Sequence, residues 1–261
     1  MNAPRRAAAA APLSAFVLHR WDWSESSLLV DLFTRERGRV AVAAKGAKRP
    51  YSQLRPVLIP FQRLQVQLGR TPADAAAEVH LLRSAERAAG PPMPAGAALL
   101  AGFHLNELLL ALLARQDPHE RLFDAYAEAL ASLHGADEAG VQATLRAFEL
   151  ALLRGVGVLP TLDEVTLTVR ALDPAQRYTL HPEAGVVLAA PGKPGVPGAA
   201  WPAIEAALRA ADGAALRAAV APWAAALRAP LRELLHYHPG SPPLRTRRLM
   251  LELHRLATRA T

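Results

Sequence analysis

Residues 27–44 read SLLVDLFTRERGRVAVAA, and this stretch decides the fold of the first part of the chain. Its two apolar runs, Ser27–Phe33 and Val40–Ala44, have the length typical of β-strands. Between them lies a short charged segment in which arginines flank Gly38, and glycine is the residue type that tight turns favour. The stretch therefore predicts two neighbouring strands joined by a turn that carries arginine side chains.

Strand-like sequence continues on both sides of this hairpin. Ala15–Leu18 is another short apolar run, and Leu64–Leu68 alternates strictly between apolar residues and glutamine, as one buried and one wet face require. Ala76–Leu82 supplies a fifth run, and the loop Gly46–Pro60 is long and rich in proline. Five short strands with such a loop predict a small closed or half-closed barrel over residues 13–88, for which the OB-fold is the best candidate.

The pattern changes at Gly90–Pro94, where three prolines in five residues interrupt any helix or strand and indicate a domain boundary. Beyond it, apolar residues recur at helical spacing and predict a helical domain over 95–261. The predicted faces are Leu105, Leu108, Leu109, Leu112 and Leu113; Leu122, Tyr126, Leu130 and Leu133; and Leu145, Phe148, Leu152 and Leu153. Further helices are expected from Trp201, from Ala214 and over Thr246–Thr258.

A β insertion is expected within this domain at about 161–190. Val165–Val169 alternates, and Tyr178–Leu180 and Val186–Leu188 flank turn residues. Residues 1–12, with an alanine run too weakly apolar for a signal peptide, are expected to form a disordered tail. The fold class is therefore α+β with two domains.

Composition excludes several kinds of chemistry. The chain has no cysteine, which excludes disulfides, thiolate metal sites and cysteine nucleophiles. It contains no phosphate-binding P-loop, no G-x-S-x-G and no H-E-x-x-H motif, so the sequence gives little support to an enzyme and implies no cofactor. No apolar run reaches the length of a membrane span, and the absence of cysteine suits the cytosol, so we expect a soluble, cytoplasmic protein.

The charge of the chain is concentrated in one segment. Residues 35–70 carry nine basic residues and one acidic residue, hence +8, whereas the whole chain of 261 residues carries +7. Such a segment favours a polyanion such as nucleic acid over the alternative of a solvated turn, and an aromatic residue within it could stack on bases. The candidate DNA-binding residues are Arg35, Arg37, Arg39, Lys45, Lys48, Arg49, Tyr51, Arg55, Arg63 and Arg70. Trp21 and Trp23 are interpreted as core or strand-edge packing.

Two smaller clusters lie near the end of the chain. Arg245, Arg247 and Arg248 belong either to an amphipathic closing helix or to a secondary DNA- or partner-binding surface. His236 and His238 could offer two imidazoles to a metal, but no carboxylate or cysteine adjoins them, so a helix-ending aromatic cluster is the favoured interpretation and no metal is expected.

Several motifs together resemble the RecO family of bacterial recombination mediators. They are Glu25-x-Ser27-Leu28-Leu29, Leu32-Phe33-Thr34-x-Glu36-x-Gly38-x-Val40, Ala44-Lys45-Gly46-Ala47-Lys48-Arg49, Phe148-Glu149-Leu150-x-Leu152-Leu153 and Pro243-Leu244-Arg245-Thr246-Arg247-Arg248. The resemblance covers nearly the whole chain and is dense in the first 70 residues and around 243–248.

The resemblance implies an N-terminal OB-fold, a helical domain and a nucleoid-associated protein that binds single- and double-stranded DNA. It further implies annealing of complementary strands, assistance to RecA loading together with RecR, and docking of the acidic-apolar tail of the single-strand-binding protein on the helical domain. Candidate docking arginines are Arg115, Arg121, Arg146 and Arg154. Many family members bind zinc through four cysteines in the insertion; none is present here, so zinc is not expected. The alternative is an RNA-binding OB module of a translation or processing factor, because DNA and RNA present the same phosphates.

Overall fold

The computed structural model describes residues 11–69, 79–90, 92–237 and 246. The chain divides into two compact units, Met1–Gly90 with Ala114–Glu120, and Pro91–Leu113 with Arg121–Thr261. The segment Ala114–Glu120 follows the first leucine-rich helix in sequence but belongs to the first unit. Its backbone extends strand pairing there, because the N–H of Gln116 donates to the carbonyl of Arg39 at 2.8 Å.

The first unit is a closed five-stranded barrel. Its strands are β1 (Leu13–Asp22), β2 (Leu28–Thr34), β3 (Gly38–Ala44), β4 (Arg63–Leu68) and β5 (Val79–Arg87). They are ordered β1-β2-β3-β5-β4, and β4 closes the barrel on β1. The β3–β5 pair is parallel and the other pairs are antiparallel. This arrangement confirms the predicted OB-like fold, although β5 runs on to Arg87 beyond the end of the apolar run from which it was predicted.

Alternation along the strands builds the barrel core. In β4 every second residue, Leu64, Val66 and Leu68, is buried, while the intervening side chains are only partly so. Apolar residues from all five strands meet them in one cluster, which is closed at one end by Ala47 and Leu58 of the β3–β4 loop. This loop is therefore packed onto the barrel, which gives its exposed side chains a fixed position.

The buried phenylalanines Phe16 and Phe33 occupy the other face of the strands. They are Cα partners across β1 and β2, and both have no exposed surface. Neither belongs to the barrel core cluster, because their sequence neighbours Val17 and Leu32 point into it. Both phenylalanines are therefore buried on the outer face of the barrel.

The second unit is mainly helical. Its helices are α1 (Ala97–Leu112), α2 (Glu120–Leu133), α3 (Glu138–Gly155), α4 (Trp201–Ala210), α5 (Gly213–Val220) and α6 (Ala224–Tyr237), with short 3-10 turns at Gly198–Ala200 and Ala221–Trp223. The predicted faces of α2 and α3 are buried throughout, and that of α1 is buried except for Leu112, which is half-buried. No described helix has the length and apolarity that crossing a membrane would require. The helix expected over Thr246–Thr258 lies outside the described residues apart from Thr246, as do residues 1–10 of the expected tail.

The β insertion differs in part from its prediction. Its strands are β6 (Glu164–Val165), β7 (Arg170–Ala171), β8 (Arg177–His181), β9 (Gly185–Leu188) and β10 (Val196–Pro197). The β8–β9 hairpin is confirmed. The strand predicted over Val165–Val169 is wrong, because residues 166–169 turn the chain between β6 and β7 and leave Leu167 and Val169 70% exposed. Alternation alone could not distinguish this exposed turn from a half-buried strand.

Candidate nucleic-acid interface

The barrel divides the basic segment into two separate clusters. Strand β3 is seven residues long, and a rise of about 3.3 Å per residue places its ends about 20 Å apart. The turn cluster, at the start of β3, consists of Arg35, Arg37 and Arg39 together with Arg115. The loop cluster, at the end of β3, consists of Lys45, Lys48, Arg49 and Arg55 together with Arg20 of β1. The cations that are continuous in sequence therefore form two surfaces.

Carboxylates neutralise the turn cluster. Arg39 Nη2 donates to Oδ2 of the fully buried Asp31 at 3.2 Å, and Arg115 Nη2 lies 4.0 Å from Oδ1 of the same carboxylate. Arg35 Nη1 forms an ion pair of 2.9 Å with Glu120. The four arginines are matched in number by four acidic residues of the same unit: Asp31, Glu36, Asp117 and Glu120. A cluster with no net charge attracts phosphate weakly.

The turn itself is fixed by Gly38. Its φ of +64° is left-handed, and a Cβ placed there would lie 1.8 Å from the carbonyl oxygen of Asp117, so only glycine fits. Nearby, burial lowers the pKa of His80, and the charge of Arg37 lowers it further. Gly38 and Asp117 therefore pack closely at this turn, while the side chain of Arg37 stays exposed.

The loop cluster is anchored through Lys48. Its Nζ forms an ion pair with Asp22 at 3.0 Å and donates to the Ser24 carbonyl at 3.1 Å, while its backbone N–H donates to the Ser26 carbonyl at 3.0 Å. These contacts join the β3–β4 loop to the β1–β2 loop. In an OB-fold, the β1–β2 loop borders the strand face that binds oligonucleotides.

The remaining side chains of the loop cluster point into solvent. Lys45, Arg49 and Arg55 are exposed and form no ion pair with any described residue. Within the described segments 20–27 and 45–60, these five cations are accompanied by two acidic residues, Asp22 and Glu25, so the segments carry a net charge of +3. Exposed, unpaired cations on an ordered loop are what a phosphate backbone requires.

Arg20 is a candidate that the sequence analysis missed. It is exposed near the end of β1, where its Nη1 donates to the Leu58 carbonyl at 3.1 Å. It lines an open groove of about 520 Å³ with Tyr51 and Arg55, and a neighbouring groove of about 290 Å³ with Trp21 and Arg55. Arg20 and Arg55 thus stand between two adjoining grooves. No local signal marks Arg20, because it lies 15 residues before the basic segment begins and joins it only through folding.

The exposed aromatic residues also lie at this end. Tyr51 is 94% exposed within the loop cluster, as a base-stacking residue requires. Trp21 and Trp23 are 42% and 60% exposed, so neither is a core residue; Trp21 contacts only the exposed His19 ring among the described aromatic contacts of β1. The reason is that β1 extends past the barrel core and ends at Asp22, which carries both indoles beyond the buried region.

The other candidate DNA contacts are not part of the loop cluster. Arg63 begins β4, is half-buried and pairs with the buried Phe16 of β1. Arg70, Arg245, Arg247 and Arg248 lie outside the described residues.

Of the four candidate docking arginines, two are held in internal ion pairs. Arg146 is 6% exposed and its Nη2 donates to Glu149 at 2.8 Å, and burial lowers the pKa of its guanidinium. Arg154 Nη2 contacts Glu205 at 2.7 Å and donates to the Pro160 carbonyl at 2.9 Å. Arg115 belongs to the barrel unit, and Arg121 is exposed on α2. Arg146 is therefore buried within its unit and does not present its guanidinium to solvent.

Glu205 shows why Arg154 is held inside its unit. Burial raises the pKa of this carboxyl group, but hydrogen bonds from Arg154, the Leu162 N–H and Arg209 outweigh that effect, and the net pKa is lowered. Arg209 also forms an ion pair of 3.1 Å with Asp163, which directly precedes β6, so this carboxylate has a structural partner. The network joins α3, α4 and the insertion.

Within the described part of the chain, no three histidine, aspartate or glutamate side chains are grouped so that they could hold a metal ion. His236 lies in the last turn of α6, and its Nδ1 donates to the Arg232 carbonyl at 2.7 Å. Tyr237 donates to Glu183 at 2.9 Å, and His238 lies outside the described residues.

Comparison with known proteins identifies the family. Residues 12–80 match the family model "Recombination protein O N terminal", and residues 93–248 match "Recombination protein O C terminal". The chain belongs to the RecO family. Similar RecO relatives, each described as "DNA repair protein RecO", occur in Variovorax paradoxus (52% identical over 252 residues), Verminephrobacter eiseniae (50% over 247) and Delftia acidovorans (50% over 246). Each alignment covers 93% of this chain and 96% of the relative. Membership of the RecO family gives the chain a role in DNA repair and recombination, and the two family regions coincide with the barrel and the helical part.

Proposed function

We propose that this protein is a DNA-binding recombination mediator that acts without catalytic turnover. The observation that supports the proposal most strongly is the loop cluster, an ordered set of exposed cations at one end of an OB-like barrel in a RecO-family chain. Phosphates of single-stranded or double-stranded DNA would bind Arg20, Lys45, Lys48, Arg49 and Arg55, and Tyr51 would contact an unpaired base. Family membership favours DNA over the RNA alternative.

Annealing follows from this chemistry without a catalytic group. Two complementary strands repel each other through their phosphates, and cations that neutralise both backbones lower that repulsion while base pairing supplies the specificity. Because the bases direct the pairing, the protein needs only to hold the backbones. We expect no nuclease activity in the presence of magnesium or manganese ions.

The partners are part of the same proposal. RecR, RecA and the tail of the single-strand-binding protein are proposed from the family, and the helical unit is the proposed docking site of the tail. Arg121 is the strongest of the four candidate arginines for this role, because it is exposed in that unit and forms no ion pair with any described residue. A guanidinium that faces solvent can pair with a peptide carboxylate without breaking an internal contact.

A strand-annealing assay combined with a pull-down tests the proposal. The protein is expected to accelerate annealing of complementary oligonucleotides, to retain the tail peptide, and to leave the DNA strands uncut. Failure to accelerate annealing at low salt would refute the mediator function, and metal-dependent cleavage would assign the protein to an enzyme class instead.

A further inference from the structure

We propose that a row of four side chains on the outer face of the barrel binds the bases of single-stranded nucleic acid; this inference rests on the proposed DNA-binding function. The row consists of Trp21, Leu29, Ala43 and Leu81. Trp21 is the Cα partner of Leu29, Leu29 of Ala43, and Ala43 of Leu81. Because side chains of cross-strand partners project from the same face of a sheet, these residues of β1, β2, β3 and β5 form one line.

The row faces away from the barrel interior. The adjacent residues Val30 and Val42 are partners in the next register position, have no exposed surface and belong to the core cluster. Since successive side chains alternate between faces, the row points outward, and its two ends, Trp21 and Leu81, are 42% and 39% exposed. Three inter-strand spacings of about 4.8 Å make the row about 14 Å long, so it extends beyond a single base.

The two ends of the row differ in their surroundings. The His19 ring meets the Trp21 indole edge-on, with ring centroids 4.4 Å apart and planes inclined at 73°. At the other end, Gly69 leaves room for Leu81 and Arg83, because a Cβ at Gly69 would lie 3.2 Å from Leu81 Cβ and 3.6 Å from Arg83 Nε. The indole therefore has a fixed orientation, and the leucine end stays open.

Cations flank this apolar row. Lys48 lines the same groove as Trp21, and Arg83 is exposed beside Leu81. Arg83 forms no ion pair with any described residue. The ligand that matches an exposed apolar row between positive charges has flat apolar faces and a chain of anions. A single nucleic-acid strand has both, whereas a duplex conceals the faces of its bases in the stack.

The proposal separates two kinds of contact. The cations of the loop cluster bind phosphates, which single and double strands both present. The apolar row binds bases and forms no favourable contact with a phosphate backbone. Removing the indole should therefore change the preference between strand types, whereas removing loop cations should weaken both.

The test measures binding of the full-length protein to three labelled probes: oligothymidylate, an abasic strand of equal length and a duplex. Stacking is worth about 1–3 kcal/mol per base, so Trp21→Ala should weaken oligothymidylate binding about 5- to 150-fold. Its duplex affinity should stay within about twofold of the parent, and Trp21→Phe should retain most of the affinity. Leu81→Ala should weaken oligothymidylate binding less than Trp21→Ala does. The control is Leu167→Ala, the same substitution at a leucine that is 70% exposed in the insertion, and it should leave binding to all three probes unchanged.

The abasic strand tests separately whether the bases contribute to affinity. The parent should bind oligothymidylate more tightly than the abasic strand, and this difference should vanish in Trp21→Ala. Unchanged oligothymidylate binding by both Trp21→Ala and Leu81→Ala would overturn the proposal, as would an equal loss with the duplex. If the row variants bind all three probes like the parent but no longer bind the tail peptide, the row is a protein-binding surface and the proposal is wrong. If Lys45→Gln/Arg49→Gln leaves all three probes unaffected, the proposed DNA-binding function itself fails.

Discussion

Two double variants of equal charge change test which end of the barrel binds DNA. One removes two cations from the loop cluster, Lys45→Gln with Arg49→Gln, and the other removes two from the turn cluster, Arg35→Gln with Arg37→Gln. Both pairs lie in the same unit, so any effect of net charge alone is the same. The pairs differ in their surroundings, because the loop cations face solvent whereas Arg35 is bound by Glu120 at 2.9 Å.

The expected magnitude follows from counterion release. If all five cations of the loop cluster contact phosphates, the logarithm of affinity falls with the logarithm of salt concentration with a slope near −4.5, at about 0.9 per contact on duplex DNA. The loop variant should reduce this slope to about −2.7, since two contacts are lost. At 0.1 M salt, with the affinity extrapolated to 1 M unchanged, its affinity is lower by about 60-fold. The turn variant should keep the parental slope.

Fluorescence anisotropy with a labelled duplex, measured at several salt concentrations, gives both slopes, and thermal unfolding checks that each variant folds. Equal loss of slope in the two variants would refute the division into two clusters and restore the single strip indicated by the sequence. A parental slope flatter than about −1 would show that neither cluster is the main contact.

The remaining predictions concern stability and partner binding. Arg146→Ala should lower the free energy of unfolding by about 3–5 kcal/mol in urea titrations, because the buried Glu149 loses its hydrogen-bonded partner and keeps only His104, whose Nε2 lies 3.6 Å away; a loss below about 1 kcal/mol would contradict a buried pair. Replacing both Arg146 and Glu149 by apolar residues of similar volume should cost much less. Because burial lowers the pKa of His80, the unfolded chain binds a proton more readily, so the stability that His80 contributes is present above pH 6.5 and is lost as the pH falls below it. His80→Gln should therefore lose less stability than the parent between pH 7.5 and pH 5.5, and an equal loss in urea titrations would assign the pH effect to other groups. Arg121→Ala should weaken binding of the tail peptide without changing affinity for naked DNA, as measured by anisotropy with each ligand; unchanged peptide binding would remove Arg121 from the docking site. Val169→Gly should raise the melting temperature slightly, because a β-branched residue at φ +52° is strained by about 1–3 kcal/mol, and a lower melting temperature would contradict this strain.

The sequence by itself determined the kind of protein and most of its elements. Strict alternation in Leu64–Leu68, the apolar runs around Gly38 and the helical spacing of Leu122–Leu133 are local patterns, so they identified strands and helices without knowledge of the fold. Alternation misled only where the residues are exposed in a turn, at residues 166–169. Charge counting was equally local, and it correctly located an excess of cations in residues 35–70.

Only the tertiary structure decided which of those cations face solvent and which aromatic residues accompany them. Arg39 and Lys45 are six residues apart in sequence, yet a strand separates their ends of the barrel, and Asp31 neutralises one of them. Arg20 enters the loop cluster through strand pairing and loop packing, at a distance along the chain that no local pattern reports. Net charge is additive along a sequence, but the attraction that a polyanion feels depends on distances between charges and on their carboxylate partners. Those distances exist only after the barrel has closed.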